Sequence, residues 1–346
     1  MEFPDVYEDV FHGSEYIWVR DGKITMNDMV LLLSIDGAQL YQSKQSDCWI
    51  FIWIIFDNAP DSRYKKKYIL PGGFIGGPNK PKNLDSFLFP SLYHLAALQK
   101  EGLKIFNGIT KQIFTSYLFF LFGMADGPGM TYLNGLVGHT GGVGCRLHCD
   151  VPGRRKAGAP TYFPAALKPR DYNISGCNHP DVNLQVDRTP NPSKYAQNLN
   201  LVLASPNEAK YKANWLKTGI VKPSIFSGLP STWAFLIPNC FPLNLIHLAS
   251  LNIPDLLISL WRGTLYCDQS DDKSQWDWVA LTGEVWIEHG KLVADTSHYL
   301  PGSFDRPPHN PAEKISSGYK AWEFLLYIFV LGPAVFHVVL PDKYWR

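Results

Sequence analysis

The chain has 346 residues, of which 46% are hydrophobic and 18% charged, and its formal net charge is +1. This composition predicts a sizeable hydrophobic core and excludes global disorder. The near-zero net charge excludes a whole-protein attraction to nucleic acid or to anionic membranes, so any site for a polyanion must be local.

Cysteine usage and hydropathy favour an intracellular protein. Six cysteines at uneven spacing, with no recognisable signal peptide, argue against a secreted disulfide framework. The apolar tract at residues 324–340 is shorter than the roughly 20 residues that a membrane-spanning helix needs, and Gly332 and Pro333 interrupt it. We therefore expect a soluble chain in a reducing compartment, with no membrane partner.

Three strands are predicted near the start of the chain. Residues 29–35 form an apolar run that stops at Asp36, with Gly37 next, which is typical of a strand buried on both faces. Residues 48–56 are β-branched and aromatic and predict a central strand, and residues 68–70 predict a third. The short turns between them predict an antiparallel meander.

A loop and a helix follow the meander. Residues 72–81 are rich in glycine and proline and predict a loop that lacks the spacing of a phosphate-binding loop. Residues 83–102 carry leucines at helical spacing, with Pro90 inside and Gly102 at the expected C-cap.

A second apolar run ends in an aspartate. Residues 117–126 finish at Asp126, again followed by glycine, so that the element order becomes β-β-β-α-β. A crossover through a helix to a parallel strand can bring Asp36 and Asp126 side by side at one edge of the sheet. Carboxylates on rigid strands bind Mg²⁺, and two such ions can support phosphoryl displacement. The alternative is that Asp36 only caps a turn with Gly37.

A third carboxylate from a later helix would complete such a metal site. We favour Glu323, because its apolar neighbours would hold it against the sheet, and Glu313 is the other candidate. For both glutamates the alternative is a solvated helix face.

Residues 127–192, the Cys/His-rich insertion, are poor in aliphatic runs and could be stabilised by a structural, four-coordinate Zn²⁺. The predicted zinc ligands are Cys145, Cys149, Cys177 and His179, with His139 and His148 as alternates. The alternative is a set of free buried cysteines with a surface histidine.

Basic clusters supply candidate contacts to phosphate groups. The candidates are Lys65, Lys66 and Lys67, with Arg63 beside them, and Arg154, Arg155 and Lys156. The alternative is that these short charge runs are solvated loops. The later part of the chain predicts helices at residues 194–218, 243–261, 276–290 and 312–340.

Seven segments together resemble a known family. They are residues 33–38 (LSIDGA), 79–85 (NKPKNLD), 125–129 (ADGPG), 144–149 (GCRLHC), 242–248 (PLNLIHL), 301–308 (PGSFDRPP) and 317–324 (SGYKAWEF). Taken together they resemble fungal transposases of the CACTA (En/Spm-like) superfamily, over essentially the whole chain.

The resemblance implies an α/β fold: an RNase H-like mixed sheet flanked by helices and interrupted by the Cys/His-rich insertion. It implies a DDE/D site that cleaves double-stranded DNA at transposon ends and transfers the strands to target DNA, with Mg²⁺ or Mn²⁺. It also implies a nuclear protein and leaves a homo-oligomeric assembly open.

Site residues follow from the matching positions. The resemblance makes Asp36 and Asp126 the first two catalytic acids, places the third at Glu323, and matches Cys145 and Cys149 to the cysteine pair of the insertion. It matches His247 to a motif histidine. The chain departs from that motif at Asn244, where the family has an acid, and at Ile246, where it has methionine.

The expected organisation has five parts. They are a lead-in at residues 1–28, the first part of the core at 29–126, the insertion at 127–192, a mainly helical insertion at 193–300, and a closing loop and helix at 301–346. Because family members extend further on both sides, the alternative hypothesis is a truncated or decayed, inactive copy that acts as a DNA- or protein-binding module.

Overall fold

The computed structural model divides into two compact units, Met1–Pro242 and Leu243–Arg346. It describes residues 5–21, 23–39, 47–77, 81–149, 151–155, 161–162, 181–183, 191–267, 272–304, 306–316, 318–337 and 339–345.

The first unit combines strands and helices. Its strands are β1 (Met29–Gln39), β2 (Asp47–Ile55), β3 (Leu70–Ile75), β4 (Leu103–Asn107), β5 (Gln112–Ser116), β6 (Leu118–Met124), β7 (Arg154–Arg155) and β8 (Thr161–Tyr162). Its α-helices are α1 (Ser14–Arg20), α2 (Asp85–Glu101), α3 (Gly127–Asn134), α4 (Pro192–Leu203) and α5 (Glu208–Thr218), with 3₁₀ turns at Val10–His12, Lys66–Tyr68 and Ile225–Gly228.

A four-stranded mixed sheet in the order β3-β2-β1-β6 forms the centre of this unit. The pairs β1–β2 and β2–β3 are antiparallel, as the predicted meander requires, and β1–β6 is parallel. With helices packed on the sheet, the unit has a mixed α/β fold that is compatible with an RNase H-like core. The prediction of fold class is confirmed.

The two central strands are buried on both faces. Their buried side chains include Leu31, Leu32, Leu33 and Ile35 in β1 and Phe119, Phe120 and Leu121 in β6. Continuous apolar runs of this kind suit strands that are covered on both sides. The core therefore lies around the β1–β6 pair.

The outer edge of β6 is covered by residues 233–241, which run beside the strand and turn at residues 237–240. Phe120 donates its N–H to the carbonyl of Trp233 at 2.8 Å, and Gly123 donates to the carbonyl of Cys240 at 2.9 Å. Phe235 and Phe241 of this segment are buried in the same core. Backbone hydrogen-bonding groups on the outer edge of β6 are thus paired with a segment that follows the insertion in the sequence.

Two features of the sheet differ from the prediction. β1 continues past Asp36 to Gln39, and β3 runs to Ile75, through residues that the composition predicted as loop. Gly72 and Gly73 lie against the ring of Phe51, and a Cβ at Gly72 would approach that ring to 2.4 Å. Glycine therefore allows close strand packing here and does not mark a loop.

The β4–β5 hairpin, between α2 and β6, is absent from the predicted element order. Phe106 and Ile113, which pair across it, are 60% and 70% exposed. With little burial on this hairpin, its sequence lacks a clear alternation of buried and exposed positions.

Helix α2 agrees with the prediction. It buries Leu88, Leu92 and Leu95, contains Pro90, and ends at Gly102, whose φ of 76° is in the region that favours glycine. The predicted helix at residues 194–218 is instead two helices, α4 and α5. Asn207 begins the second by accepting a hydrogen bond from the N–H of Lys210.

The second unit is helical in its described residues. Its α-helices are α6 (Leu245–His247), α7 (Ile253–Trp261), α8 (Gly283–Asp295), α9 (Pro311–Lys314), α10 (Ala321–Leu325), α11 (Gly332–Val335) and α12 (Asp342–Trp345). Two π-helical segments, Leu248–Asn252 and Leu326–Leu331, and two 3₁₀ turns, Lys273–Gln275 and Thr296–Tyr299, complete it. The core includes Ile258, Leu281, Trp286, Val293, Tyr327 and Phe336.

The closing part of this unit is more broken than predicted. A single helix over residues 312–340 is wrong, because α9 ends at Lys314 and the helix resumes only at Ala321. From there α10, the π-helical segment and α11 follow one another without a break to Val335. The helix predicted at 276–290 begins only at Gly283. Among the described residues, none of the helices combines the length and apolar character needed to cross a bilayer.

Arg63 has a structural role in the first unit. Its guanidinium is buried and donates to both carboxylate oxygens of Asp9, at 2.9 and 2.7 Å, while it lies over the rings of Phe11 and Phe56. Burial alone would raise the pKa of Asp9, but the hydrogen bonds and charge of Arg63 outweigh this and hold that pKa below its ordinary value. Arg63 therefore does not share the exposure of the neighbouring lysines.

We expect Arg63→Ala to destabilise the chain by about 3 kcal/mol, because it leaves a largely buried carboxylate unpaired. Lys65→Ala, a change at an exposed neighbour, serves as the control and should shift stability by less than about 0.5 kcal/mol. Urea denaturation measures both. Since the pKa of Asp9 is lowered in the folded state, the difference should be largest above pH ~4 and shrink as the pH falls further. A pH-independent difference would contradict the role assigned to the ion pair.

Candidate functional site

The parallel register of β1 and β6 brings Asp36 and Asp126 to the same edge of the sheet. Ser34 pairs with Met124, and each aspartate lies two residues further along its own chain. Residues two apart along extended chain point to the same side, so the two carboxylates belong to one face at one end of the sheet. This register is compatible with the predicted pair, and the shared site stays a prediction.

Asp126 begins helix α3. The residue has extended backbone angles, and its Oδ1 accepts a hydrogen bond from the N–H of Gly129 at 2.6 Å, the geometry of an N-cap. Gly129 is buried, and a Cβ there would approach Asp126 Oδ1 to 2.6 Å, so the small residue is needed for this cap. The backbone thus fixes the position of the carboxylate.

Asp36 is held less tightly. Its side chain is exposed, and its Oδ1 accepts a hydrogen bond from the N–H of Gly37 at 2.8 Å. For both aspartates, Oδ2 has no hydrogen-bond partner among the described residues. Two carboxylates that each keep an oxygen available suit a hard divalent cation.

The available ligands do not amount to a complete metal site. Across the part of the chain that the structure describes, no three His, Cys, Asp or Glu side chains converge in an arrangement that could hold a metal ion. The carboxylate pair is therefore the part of the predicted centre that the geometry assembles.

A cation that the sequence reasoning did not single out lies near this edge. The half-buried guanidinium of Arg146 donates from Nη1 to the carbonyl oxygen of Pro242 at 3.0 Å. Burial lowers the pKa of Arg146, whereas the charges of Cys145 and Asp126 act in the opposite direction. In the sequence it lies between Cys145 and Cys149, a pattern that indicates metal binding by thiols. Only the fold places it near Asp126.

Cys145 and Cys149 also come together. The first is half-buried and the second buried, and neither forms a disulfide with another described residue. A hydrogen bond between the thiols lowers the pKa of Cys145 to about 6, against a smaller opposing effect of burial. Backbone N–H groups of Cys149 and Leu147 and the charge of Arg146 act in the same direction as the thiol. A thiolate held in this way is suited to metal binding or to reaction with electrophiles.

Other predicted zinc ligands have different outcomes. Cys177 and His179 lie outside the described residues. His148, an alternate ligand, is buried, with its Nε2 at 2.9 Å from Nδ2 of Asn198 on α4 and its ring against Tyr195. The four-ligand zinc site stays a prediction.

Among the predicted phosphate contacts, the lysines at 65–67 lie away from the carboxylate pair. Lys65, Lys66 and Lys67 are exposed and precede β3, whose Leu70 pairs with Trp53. This register puts the lysines beyond the end of the sheet where β1 begins, while Asp36 lies toward the other end. Arg154 and Arg155 form β7 in the insertion, and Lys156 lies outside the described residues.

A comparison with known families adds an independent observation. Residues 23–160 match the model of the transposase family tnp2. The matched segment is less than half of the chain, and it contains the carboxylate pair, Arg146 and the two neighbouring cysteines. It supports a transposase. No curated protein matches the chain.

Glu323 lies outside the matched segment, in the second unit. It is 3% exposed and forms the N3 position of a capping box on α10. Its Oε1 accepts a hydrogen bond from the N–H of His309 at 3.1 Å and lies 2.6 Å from His309 Nδ1, and its Oε2 accepts from the N–H of Lys320 at 2.9 Å. Both oxygens are therefore engaged within the unit.

The surroundings of Glu323 are basic. It lines a cleft of about 770 Å³ together with Arg306, His309, Lys314 and Lys320. Burial would raise the pKa of Glu323, but the hydrogen bonds with His309 and Lys320 outweigh it and keep the carboxyl below its ordinary pKa. The cleft thus presents more positive than negative charge.

The residue Asn244, at which the chain differs from the family motif, has a structural role. The Asn244 side chain accepts a hydrogen bond from the N–H of His247 at 3.1 Å and caps α6. Asparagine and aspartate cap helices about equally well, so this position tolerates Asn244 without loss of the helix start. His247 itself is half-buried.

Alkylation of Cys145 tests the thiol pair. We expect Cys145 to react with iodoacetamide with a midpoint near pH 6 and to react faster at neutral pH than Cys240, whose pKa is raised by burial. Cys149→Ala removes the main hydrogen bond and should raise the midpoint. Site-resolved mass spectrometry measures both thiols in one sample. A midpoint at the ordinary thiol value, about 8.5, would contradict the geometry.

Glu323→Ala should destabilise the second unit by about 3 kcal/mol, because the backbone donors of His309 and Lys320 lose their acceptor. Glu313→Ala is the matched control, since Glu313 is exposed and accepts one hydrogen bond, from Asn310. Chemical denaturation followed by circular dichroism gives both values. The lowered pKa of Glu323 means that its contribution is present above pH ~4.3 and is lost as the pH falls below it. Equal effects of the two substitutions would refute the capping role.

Proposed function

We propose that the chain is the catalytic core of a DDE/D-type transposase, which cleaves DNA at transposon ends and joins the freed strands to target DNA. The observation that best supports this proposal is the parallel β1–β6 register, which brings Asp36 and Asp126 to one edge of the sheet. Both residues lie within the segment that matches the tnp2 transposase family.

The metal requirement rests on the chemistry of these donors. Asp36 and Asp126 would hold the ions, each through the carboxylate oxygen that makes no hydrogen bond among the described residues. Mg²⁺ or Mn²⁺, when bound there, would supply an activated water nucleophile and neutralise charge on the phosphate. The N-cap of α3 pre-orients Asp126 for this task, so that little reorganisation is needed on binding.

Glu323 is proposed as the third acid. The basic side chains Arg306 and Lys320, which share its cleft, favour a negatively charged partner such as the phosphates of DNA. A structural Zn²⁺ in the Cys/His-rich insertion, a nuclear location, an oligomeric assembly and membership of the CACTA superfamily complete the proposal.

A second candidate is an inactive transposase remnant that binds DNA or protein. The specific observation in its favour is that both oxygens of Glu323 are engaged by His309 and Lys320. In that case the carboxylate would stabilise the second unit and take no part in catalysis.

Metal binding separates the two candidates. We expect Mn²⁺ binding in titration calorimetry to be lost in Asp36→Asn and in Asp126→Asn, because each removes one anionic ligand. Asp61→Asn, at an exposed loop position, is the control and should bind as the wild type does. The same substitutions should lower Mn²⁺-dependent nicking of supercoiled plasmid by about 100-fold or more.

Equal Mn²⁺ binding by all four proteins, or none by any, would rule out a shared carboxylate site. Retained DNA binding in such a chain would then favour the remnant. Circular dichroism must show that each variant is folded.

A further inference from the structure

Arg146 is the residue near the carboxylate edge to which neither the zinc prediction nor the metal prediction gives a task. It lies in the segment 144–149, between Cys145 and Cys149. Its Nη1 donates to the carbonyl of Pro242 at 3.0 Å. Pro242 directly follows residues 233–241, the segment that covers the outer edge of β6.

The anchoring of this segment fixes where the guanidinium lies. Cys240, two residues before Pro242, accepts a hydrogen bond from the N–H of Gly123 at 2.9 Å, and Gly123 precedes Asp126 by three residues. Arg146 is thus attached to the wall that runs beside the end of β6. The charges of Cys145 and Asp126 both act on Arg146, in agreement with this position.

The guanidinium has capacity for a further partner. It carries five N–H donors, and one of its nitrogens bonds to Pro242. Among the described residues, no other acceptor and no carboxylate lies within bonding distance of its nitrogens. A half-buried cation with unfilled donors is costly unless an anion meets it.

The chemistry of the missing partner follows from the surroundings. Asp36 and Asp126 repel a phosphodiester, so a strand that approaches them needs a fixed positive charge nearby. A guanidinium fork matches phosphate oxygens in geometry and charge. The lysines at 65–67 lie toward the other end of the sheet and cannot serve this edge.

We propose that Arg146 contacts a phosphate of the DNA strand that is bound at the Asp36–Asp126 edge. This inference rests on the proposed function, in that it names a substrate contact of the same site. It assigns to the Cys145–Cys149 turn a second task, which is to hold the arginine in place.

The test is the salt dependence of DNA binding. A fluorescent DNA duplex is titrated with wild type, Arg146→Gln, Arg146→Lys and Arg20→Gln over a series of KCl concentrations with Ca²⁺ present. Loss of one phosphate contact lowers the slope of log K against log salt by about 0.9. Arg146→Gln should show this loss, since its amide carries no charge. Arg146→Lys should retain the slope.

Arg20→Gln is the matched control, because Arg20 is exposed on α1, a helix that packs through Tyr16 near the start of β1. It should bind as the wild type does. A slope for Arg146→Gln equal to that of the wild type, or a decrease that Arg20→Gln reproduces, would overturn the inference.

Two further readouts separate this inference from the proposed function. Mn²⁺ binding and plasmid nicking by the wild type report on the function alone. Wild-type nicking with an unchanged Arg146→Gln slope refutes the contact and leaves the function standing. A decreased slope without wild-type nicking supports the contact while the function fails.

A measurement on the wild type covers the case in which Arg146→Gln does not fold. Phenylglyoxal modifies arginine side chains, and mass spectrometry resolves each site. DNA should slow the modification of Arg146 relative to that of Arg20. Equal rates with and without DNA would overturn the inference.

Discussion

The parallel pairing of β1 with β6 is the constraint on which the candidate site depends. Both strands are buried on both faces, so a shift of register by one residue would turn apolar side chains toward the wrong layer. The register is therefore fixed by the core, and it fixes in turn where Asp36 and Asp126 leave the sheet. Packing of Leu33, Phe119 and their neighbours thus determines the geometry of groups that they do not contact. The positions of the two aspartates therefore follow from the packing of the hydrophobic core.

The contacts on the outer edge of β6 explain why part of the insertion lies close to the carboxylate pair. Residues 233–241 return from beyond the insertion and hydrogen bond to β6, at Phe120 and Gly123. Through Pro242, this same segment holds Arg146. A segment that is distant in sequence therefore lies beside β6 at the end of the sheet where the aspartates are found. The Cys/His-rich insertion is anchored to the core at the place where the aspartates lie, although its own described residues bury few aliphatic side chains.

The sequence predicts the apolar parts of this architecture well and the rest poorly, for physical reasons. Apolar runs in β1, β2 and β6 and the leucine spacing of α2 are strong periodic signals, and they predicted the meander, the crossover and the aspartate pair. The β4–β5 hairpin buries little and so carries no such signal. The composition predicts a loop at Gly72 and Gly73 because glycine is common in loops. In the structure, these glycines leave space for the Phe51 ring. The contact of Arg146 is with Pro242, 96 residues further along the chain, and no local pattern encodes it.

The order in which the strands are made has a consequence for how this protein reaches its fold. Met29 pairs with Leu118, so β1 has only one neighbour, β2, until about half of the first unit, Met1–Pro242, has been synthesised. Pairing at such separation is slow compared with hairpin formation. During that interval the apolar free edge of β1 is open to other chains, which makes early aggregation the characteristic hazard of this topology. Shielding of this edge by a chaperone during synthesis would reduce such aggregation.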